Sequence, residues 1–112
     1  MESSKLNQLK SILAERKRIS VETQDNWDDG IQMCWSKEIE ILTKDIKESI
    51  RILENECIPE DIYWISEIFE DIAEKTQSKD FIAAIHRIHD KMPEDVKKSM
   101  EIDIDSAERA MD

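Results

Sequence analysis

Hydrophobic residues recur every three or four positions through most of the chain, which is the spacing of an amphipathic α-helix. In the longest such segment, Trp35, Ile39 and Leu42 follow one another at this spacing. The predicted helices cover, in chain order, residues 3–19, 29–55, 59–77, 78–92, 93–100 and 103–112. We therefore expect an all-α fold, in which the whole chain forms a single compact bundle of about five to six helices.

Residues that favour the ends of helices occur at several of these boundaries. Pro59 suits the first position of the third helix, because the first N–H groups of a helix lack an intrahelical partner. Ser78 is the predicted N-cap of the fourth helix, and Asp28 or Asp29 could cap the second. Gly30 and the surrounding Asn and Asp residues predict a loop before the second helix.

Length and composition limit the fold to one domain of this kind. A chain of 112 residues is long enough to bury one adequate hydrophobic core. Its single Gly and two Pro leave few residues for tight turns, and an all-β fold needs many of them.

The chain carries a formal net charge of −11, which bears on its partners. Nucleic acids and anionic membranes are polyanions, so neither is expected to bind directly. A basic protein partner fits this charge, because opposite fields speed association. The alternative is that the charge serves solubility alone.

Two cysteines, Cys34 and Cys57, are too few for a secreted disulfide framework, and both have apolar neighbours. No signal peptide and no membrane-spanning run is recognisable in the sequence. We therefore expect a cytoplasmic protein whose thiols are reduced and lie in the core.

Candidate catalytic chemistry is sparse. His86 and His89 form an H-x-x-H pair, and together with Asp90 they leave a metal-dependent helical enzyme as one hypothesis. Both histidines flank the inward stripe of their helix, which favours an ordinary amphipathic boundary position. With one Gly, the chain has no glycine-rich phosphate loop. We expect a protein that is not an enzyme and that has no metal or cofactor.

The segment over residues 59–77 poses a question, because it places Tyr63 and Trp64 among acidic residues. A second mixture of acids and an aromatic residue occurs before the second helix. The two patches that we predict to bind a partner consist of Asp25, Trp27, Asp28 and Asp29, and of Glu60, Tyr63, Trp64, Glu67, Glu70, Asp71 and Glu74. Tyr and Trp are frequent interface anchors, and carboxylates beside flat rings resemble a strand of phosphates and bases. The alternative for Trp64 is burial against the second helix or the Trp27 loop.

This surface on a small acidic helical chain resembles the immunity proteins of bacterial toxin–immunity pairs, including those of contact-dependent growth inhibition and of nuclease bacteriocins. The residues that carry the resemblance run from Cys57 to Glu108, about half of the chain, and include CIPEDIYWISEIFEDIAEK, SKDFI and KMPED. The resemblance implies one-to-one binding of a cognate toxin domain, often a nuclease, whose active site or a nearby exosite is blocked.

Our first hypothesis is therefore an immunity protein, monomeric in a 1:1 complex, that occludes the active site or nucleic-acid-binding surface of a basic toxin domain. One alternative is an acidic helical adaptor that binds a basic regulatory protein. A homo-oligomeric bundle is another alternative, suggested by the long apolar second helix.

Overall fold

The computed structural model describes residues 4–24 and 26–112 and confirms the all-α fold. The described residues form seven α-helices and one short 3₁₀ turn. The helices are α1 (Ser4–Thr23), α2 (Asp28–Thr43), α3 (Ile46–Asn55), α4 (Pro59–Ile65), α5 (Phe69–Thr76), α6 (Lys79–Lys91) and α7 (Glu94–Arg109), with the 3₁₀ turn (Ser66–Ile68) between α4 and α5.

One hydrophobic core holds these helices together. Helix α7 packs against α4, α5 and α6, while α1 and α2 pack against each other and cover the opposite side of α4 and α5. The fully buried side chains of this core include Leu9, Leu13, Leu42, Ile52, Ile62, Ile65, Ile68, Phe69, Ile72, Phe81, Ile85 and Met100. A smaller cluster, formed by Ile19, Ile31 and Cys34, closes the outer end of the α1–α2 pair.

The second predicted helix is not continuous, because the chain breaks between α2 and α3. Asp45 adopts an extended conformation there, and its side chain accepts a hydrogen bond from the Glu48 N–H at 3.3 Å. The Ser49 hydroxyl donates to the carbonyl oxygen of Leu42 at 2.7 Å, which satisfies an acceptor at the end of α2. Local hydrogen bonds of this kind offer the backbone an alternative to the helix.

The third predicted helix is also divided, by the 3₁₀ turn between α4 and α5. The Ser66 hydroxyl donates to the carbonyl oxygen of Tyr63 at 2.7 Å. A 3₁₀ turn is tighter than an α-turn and changes the direction in which the following side chains project. Ile65, Ile68 and Phe69 are all fully buried as a result.

The last two predicted helices are a single helix, α7. Ile104 and Ala107 continue the buried stripe of Val96 and Met100, so the hydrophobic spacing passes through the predicted break. The predicted loop before the second helix is also shorter than expected, because Gly30 is a buried residue in the first turn of α2.

Two predicted helix starts are confirmed and one is wrong. Helix α4 begins at Pro59, and the Ser78 hydroxyl caps α6 by accepting a hydrogen bond from the Phe81 N–H at 3.0 Å. Helix α2 has Trp27 at its N-cap position, without a side-chain cap. Asp28 and Asp29 instead lie in its first turn, where carboxylates interact favourably with the helix dipole.

Candidate functional site

The larger predicted patch divides into an inner and an outer part, because α4, the 3₁₀ turn and α5 present its residues in different directions. Glu67 contacts α1 and α2, and the Trp64 ring lies beside Arg16 of α1. Tyr63, Glu70, Asp71 and Glu74 are exposed. Glu60 is also exposed, and its carboxylate pairs with Lys17 of α1 at 3.0 Å.

Glu67 is the centre of a polar network that joins three elements. The Arg16 guanidinium of α1 donates to it twice, from Nε to Oε2 at 3.0 Å and from Nη2 to Oε1 at 2.6 Å. The Trp35 indole N–H of α2 donates to the same Oε2 at 2.9 Å. Bidentate arginine–carboxylate pairs have a fixed geometry. Glu67 therefore fixes the position of the 3₁₀ turn against the α1–α2 pair.

Trp64 contributes to the same network through its ring. The Arg16 guanidinium carbon lies 4.9 Å from the ring centroid, which is the geometry of a cation–π contact. The ring packs partly buried against the main core, and its buried Nε1 has no hydrogen-bond partner among the described residues. Of the two positions considered for Trp64, the packed one is therefore observed.

Glu38 of α2 is a fully buried carboxyl group beside this network. Neither of its oxygens has a hydrogen-bond partner among the described residues. Burial raises the pKa of Glu38 from 4.5 to about 8; the Glu67 carboxylate adds to the increase, and Arg16 opposes it. Glu38 is therefore mostly protonated at neutral pH, which avoids a second negative charge next to Glu67.

Sequence reasoning did not predict the roles of Arg16, Trp35 and Glu38, although a signal was present. Arg16 follows Leu9 and Leu13 on the buried stripe of α1, and Glu38 precedes Leu42 on that of α2. A charged residue at an apolar position of a helical stripe indicates a buried partner. The identity of that partner depends on how the helices pack, which the spacing does not give.

The outer part of the patch combines one aromatic residue with three carboxylates. Tyr63 is 44% exposed, and its ring meets that of Trp64 edge to face with centroids 5.2 Å apart. Glu70, Asp71 and Glu74 follow on α5, and no described cation lies within ion-pair distance of them. Burial, with help from Glu70 and Glu74, raises the pKa of Asp71. We call Tyr63, Glu70, Asp71 and Glu74 the acidic face.

Many of the basic residues near the predicted patch are paired within the fold. Four basic residues of α1, the most basic segment, form ion pairs: Lys10 with Asp61, Arg16 with Glu67, Lys17 with Glu60, and Arg18 with Glu15 and Glu22. Arg87 of α6 likewise pairs with Glu54 of α3. These cations are paired elsewhere, and the three carboxylates of the acidic face outnumber the single lysine of their own helix, Lys75, so the face keeps a net negative charge.

The smaller predicted patch lies apart from the acidic face, at the start of α2. Trp27 is 47% exposed and its ring lies directly over Gly30, which leaves no room there for a Cβ atom. Asp28 and Asp29 are exposed beside it. Asp25, the fourth predicted residue of this patch, lies outside the described residues.

The two histidines of α6 line one hollow with α7, and each lies beside a different carboxylate. His86 Nε2 lies 3.4 Å from Glu108, and His89 Nε2 lies 3.2 Å from Glu101, both on α7. Among residues 4–24 and 26–112, no group of three or more His, Cys, Asp or Glu side chains is arranged to hold a metal ion. The histidines thus connect α6 to α7.

The two thiols occupy protected positions. Cys34 is buried and Cys57 is partly buried against the main core. Burial raises the pKa of Cys34, and it raises that of Cys57 to about 12, with a contribution from Asp61. Both thiols are therefore protonated at neutral pH, which makes them weak nucleophiles.

Within the described part of the chain, every helix is too short or too polar to cross a lipid bilayer. Comparisons of the chain with protein-family models, with curated proteins and with solved structures find no match.

Proposed function

We propose that this chain is an immunity protein of a bacterial toxin–immunity pair, such as those of contact-dependent growth inhibition or nuclease bacteriocins. It binds one basic toxin domain, one chain to one toxin, and occludes the active site or nucleic-acid-binding surface of that toxin. The observation that carries the proposal is the acidic face, where an exposed tyrosine of α4 is followed on α5 by three exposed carboxylates that form no ion pair with any described residue.

The chemistry of a nuclease explains why this surface would fit. An enzyme that binds a nucleic acid needs Lys and Arg side chains that contact phosphates. Glu70, Asp71 and Glu74 would form charge-assisted hydrogen bonds with those cations. Tyr63 would supply the flat, apolar contact that a base normally makes. Binding of substrate and of the immunity protein would then exclude each other.

The inner residues of the predicted patch have a different role in this proposal. Arg16, Trp64 and Glu67 hold α4 and the 3₁₀ turn against α1, so they fix the acidic face in one geometry. A surface that is rigid before binding loses less conformational entropy when it binds. The protein acts by binding alone in the cytoplasm, without a catalytic residue, metal or cofactor.

The test is affinity capture from the lysate of the native host with two charge-reversed variants. The first, Glu70→Lys with Glu74→Lys, reverses two carboxylates of the acidic face. The second, Glu94→Lys with Asp95→Lys, is the matched control, because it has the same net charge and also reverses two exposed carboxylates of one helix. We expect the wild type and the control to retain the same basic toxin domain, and the first variant to lose it.

Circular dichroism of both variants must first show unchanged helicity. Equal retention by all three proteins would place the interface elsewhere and contradict the role of the acidic face. Capture of an acidic protein would contradict the immunity function itself. So would a captured protein whose activity is unchanged when one equivalent of this chain is bound to it.

A further inference from the structure

A groove on the outer side of the α1–α2 pair is not used by the proposed function. It consists of two adjoining hollows, both lined by Lys37. The first has a volume of about 400 Å³ and has Ile12 and Ile41 among its lining residues. The second has a volume of about 270 Å³ and is lined in part by Ile19 and Cys34. The lining residues belong to α1 or α2, except Trp27, which immediately precedes α2, and Lys44, which immediately follows it.

Two large apolar side chains project at one end of this groove. Trp27 is 47% exposed and Met33 is 55% exposed, and both line the smaller hollow. The larger hollow lies at the opposite end, beside Ile41 and Lys44. The groove therefore has projecting apolar groups at one end, and at the other a hollow in which two isoleucines lie among polar side chains.

The charged side chains also differ between the two ends of the groove. Asp28 and Asp29 are exposed at the end that carries Trp27, whereas at the other end Lys44 is exposed and forms a surface ion pair with Glu40 at 3.8 Å. The charged lining residues balance, with Lys37 and Lys44 against Glu15 and Glu40. In a chain of net charge −11, this is a surface where a second copy meets no net repulsion from the lining itself.

We propose that the α1–α2 groove binds a second copy of this chain in an antiparallel, two-fold arrangement. Met33 and Ile41 are each four residues from Lys37, so a two-fold axis near Lys37 places Met33 of one copy opposite Ile41 of the second. Lys44 of one copy then meets the first turn of α2 in the second, where Asp29 lies. Each copy places its Met33 against the other copy and accepts the other copy's Met33 beside its own Ile41. Both copies thus use the same surface, which defines an isologous interface.

The interface is separate from the acidic face. Glu15 and Ile19 of α1 line the groove, whereas Arg16 and Lys17 point toward α4. Self-association would therefore leave one acidic face on each copy, and the ratio of chain to toxin would remain one to one. It would also assign the Trp27 patch to contacts between copies instead of to the toxin.

Sedimentation equilibrium of the full chain alone tests the proposal, at protein concentrations from about 5 µM to about 500 µM, since an interface of this size is expected to be weak. The expected result is a mass that rises with concentration from 13.2 kDa toward twice that value. Met33→Glu and Lys44→Glu should each raise the dissociation constant at least about tenfold. The double variant Asp29→Lys with Lys44→Glu should restore association, because it exchanges the charges across the interface.

Ile102→Glu is the control, because Ile102 is an exposed apolar residue on α7, away from the groove. A mass of 13.2 kDa at every concentration would overturn the proposal. An association that Ile102→Glu weakens, and that Met33→Glu and Lys44→Glu do not, would overturn it equally. No toxin is present in the experiment, so its outcome is independent of the proposed function.

Discussion

Arg16 is the residue on which the inner network depends, because it is the cation that compensates Glu67 and lies close to Glu38. Its side chain is almost fully buried and also covers the Trp64 ring. Removal of one partner from a buried ion pair leaves the other charge uncompensated. The network should therefore respond strongly to the loss of this single side chain.

We expect Arg16→Ala to lower the free energy of unfolding by about 3 kcal/mol, measured by urea denaturation. Arg18→Ala is the control, because Arg18 forms its ion pairs with Glu15 and Glu22 at the exposed surface. Its effect should be much smaller, since exposed pairs contribute little. Equal destabilisation by the two variants would show that the buried network does not carry the stability assigned to it.

Glu38 makes the stability of the fold depend on pH in an unusual direction. Its pKa rises from 4.5 to about 8 on folding, so the folded state binds more protons than the unfolded state between these values. The free energy of unfolding therefore falls as the pH rises through this window, by at most about 1.4 kcal/mol per pH unit. Above the folded-state pKa of about 8, the unfolding free energy no longer falls through this group.

Glu38→Gln should remove this dependence, because the amide is of similar shape and does not ionise. We expect the melting temperature of the wild type to fall between about pH 6 and about pH 8.5, because the Glu38 carboxyl loses its proton in this range. The melting temperature of Glu38→Gln should stay nearly constant. Glu40→Gln is the control, since Glu40 is exposed two residues away. If Glu38→Gln and wild type follow the same pH profile, Glu38 is not the responsible group.

At the scale of single residues, the sequence shows which side chains are charged or aromatic, but helical spacing did not predict which of them contact each other in the fold. Glu67 and Glu70 are equally acidic, and the spacing placed both on one exposed side. The 3₁₀ turn directs Glu67 to Arg16 while Glu70 stays exposed. A reversal of charge at Glu67 would thus break the inner network, so it cannot test partner binding.

Helix boundaries depend on single side chains that compete with a continuous hydrophobic pattern. Ile46, Ile50 and Leu53 continue the spacing of α2, which is why the break before α3 was not predicted. Asp45 and Ser49 produce it through local hydrogen bonds. At α7 the opposite holds, since a new helix was predicted to begin at Asp103 but the buried stripe continues past it. Pro59 and Ser78 were predicted correctly because each is a local signal of a helix start, as a proline at the first helical position and as a hydroxyl N-cap.

The N-cap of α3 gives a direct test of this break. Asp45→Ala removes the side-chain acceptor for the Glu48 N–H, and we expect a loss of about 1 kcal/mol in the free energy of unfolding. Asp45→Asn is the control, because asparagine is also a good N-cap and should keep most of the stability. A loss that is the same for both variants would indicate that capping is not the role of Asp45.

For the molecule as a whole, the sequence predicted the fold class because helical periodicity is a property of neighbouring residues. The distribution of charge on the surface is not such a property. Cations of α1 meet acids of α4 and of the 3₁₀ turn, more than forty residues away in sequence, so the acids of α5 alone keep the outer field of the predicted patch. Only the packing of the helices separates these two groups of carboxylates.

The central claim is that the acidic face binds a basic toxin domain and thereby blocks its activity. The most direct measurement is a titration of the captured toxin domain, with its catalytic activity measured as the protein is added. Wild type and Glu94→Lys with Asp95→Lys should abolish activity at one equivalent, and Glu70→Lys with Glu74→Lys should need at least about tenfold more protein. Full activity of the toxin at a saturating amount of wild-type protein would contradict the claim.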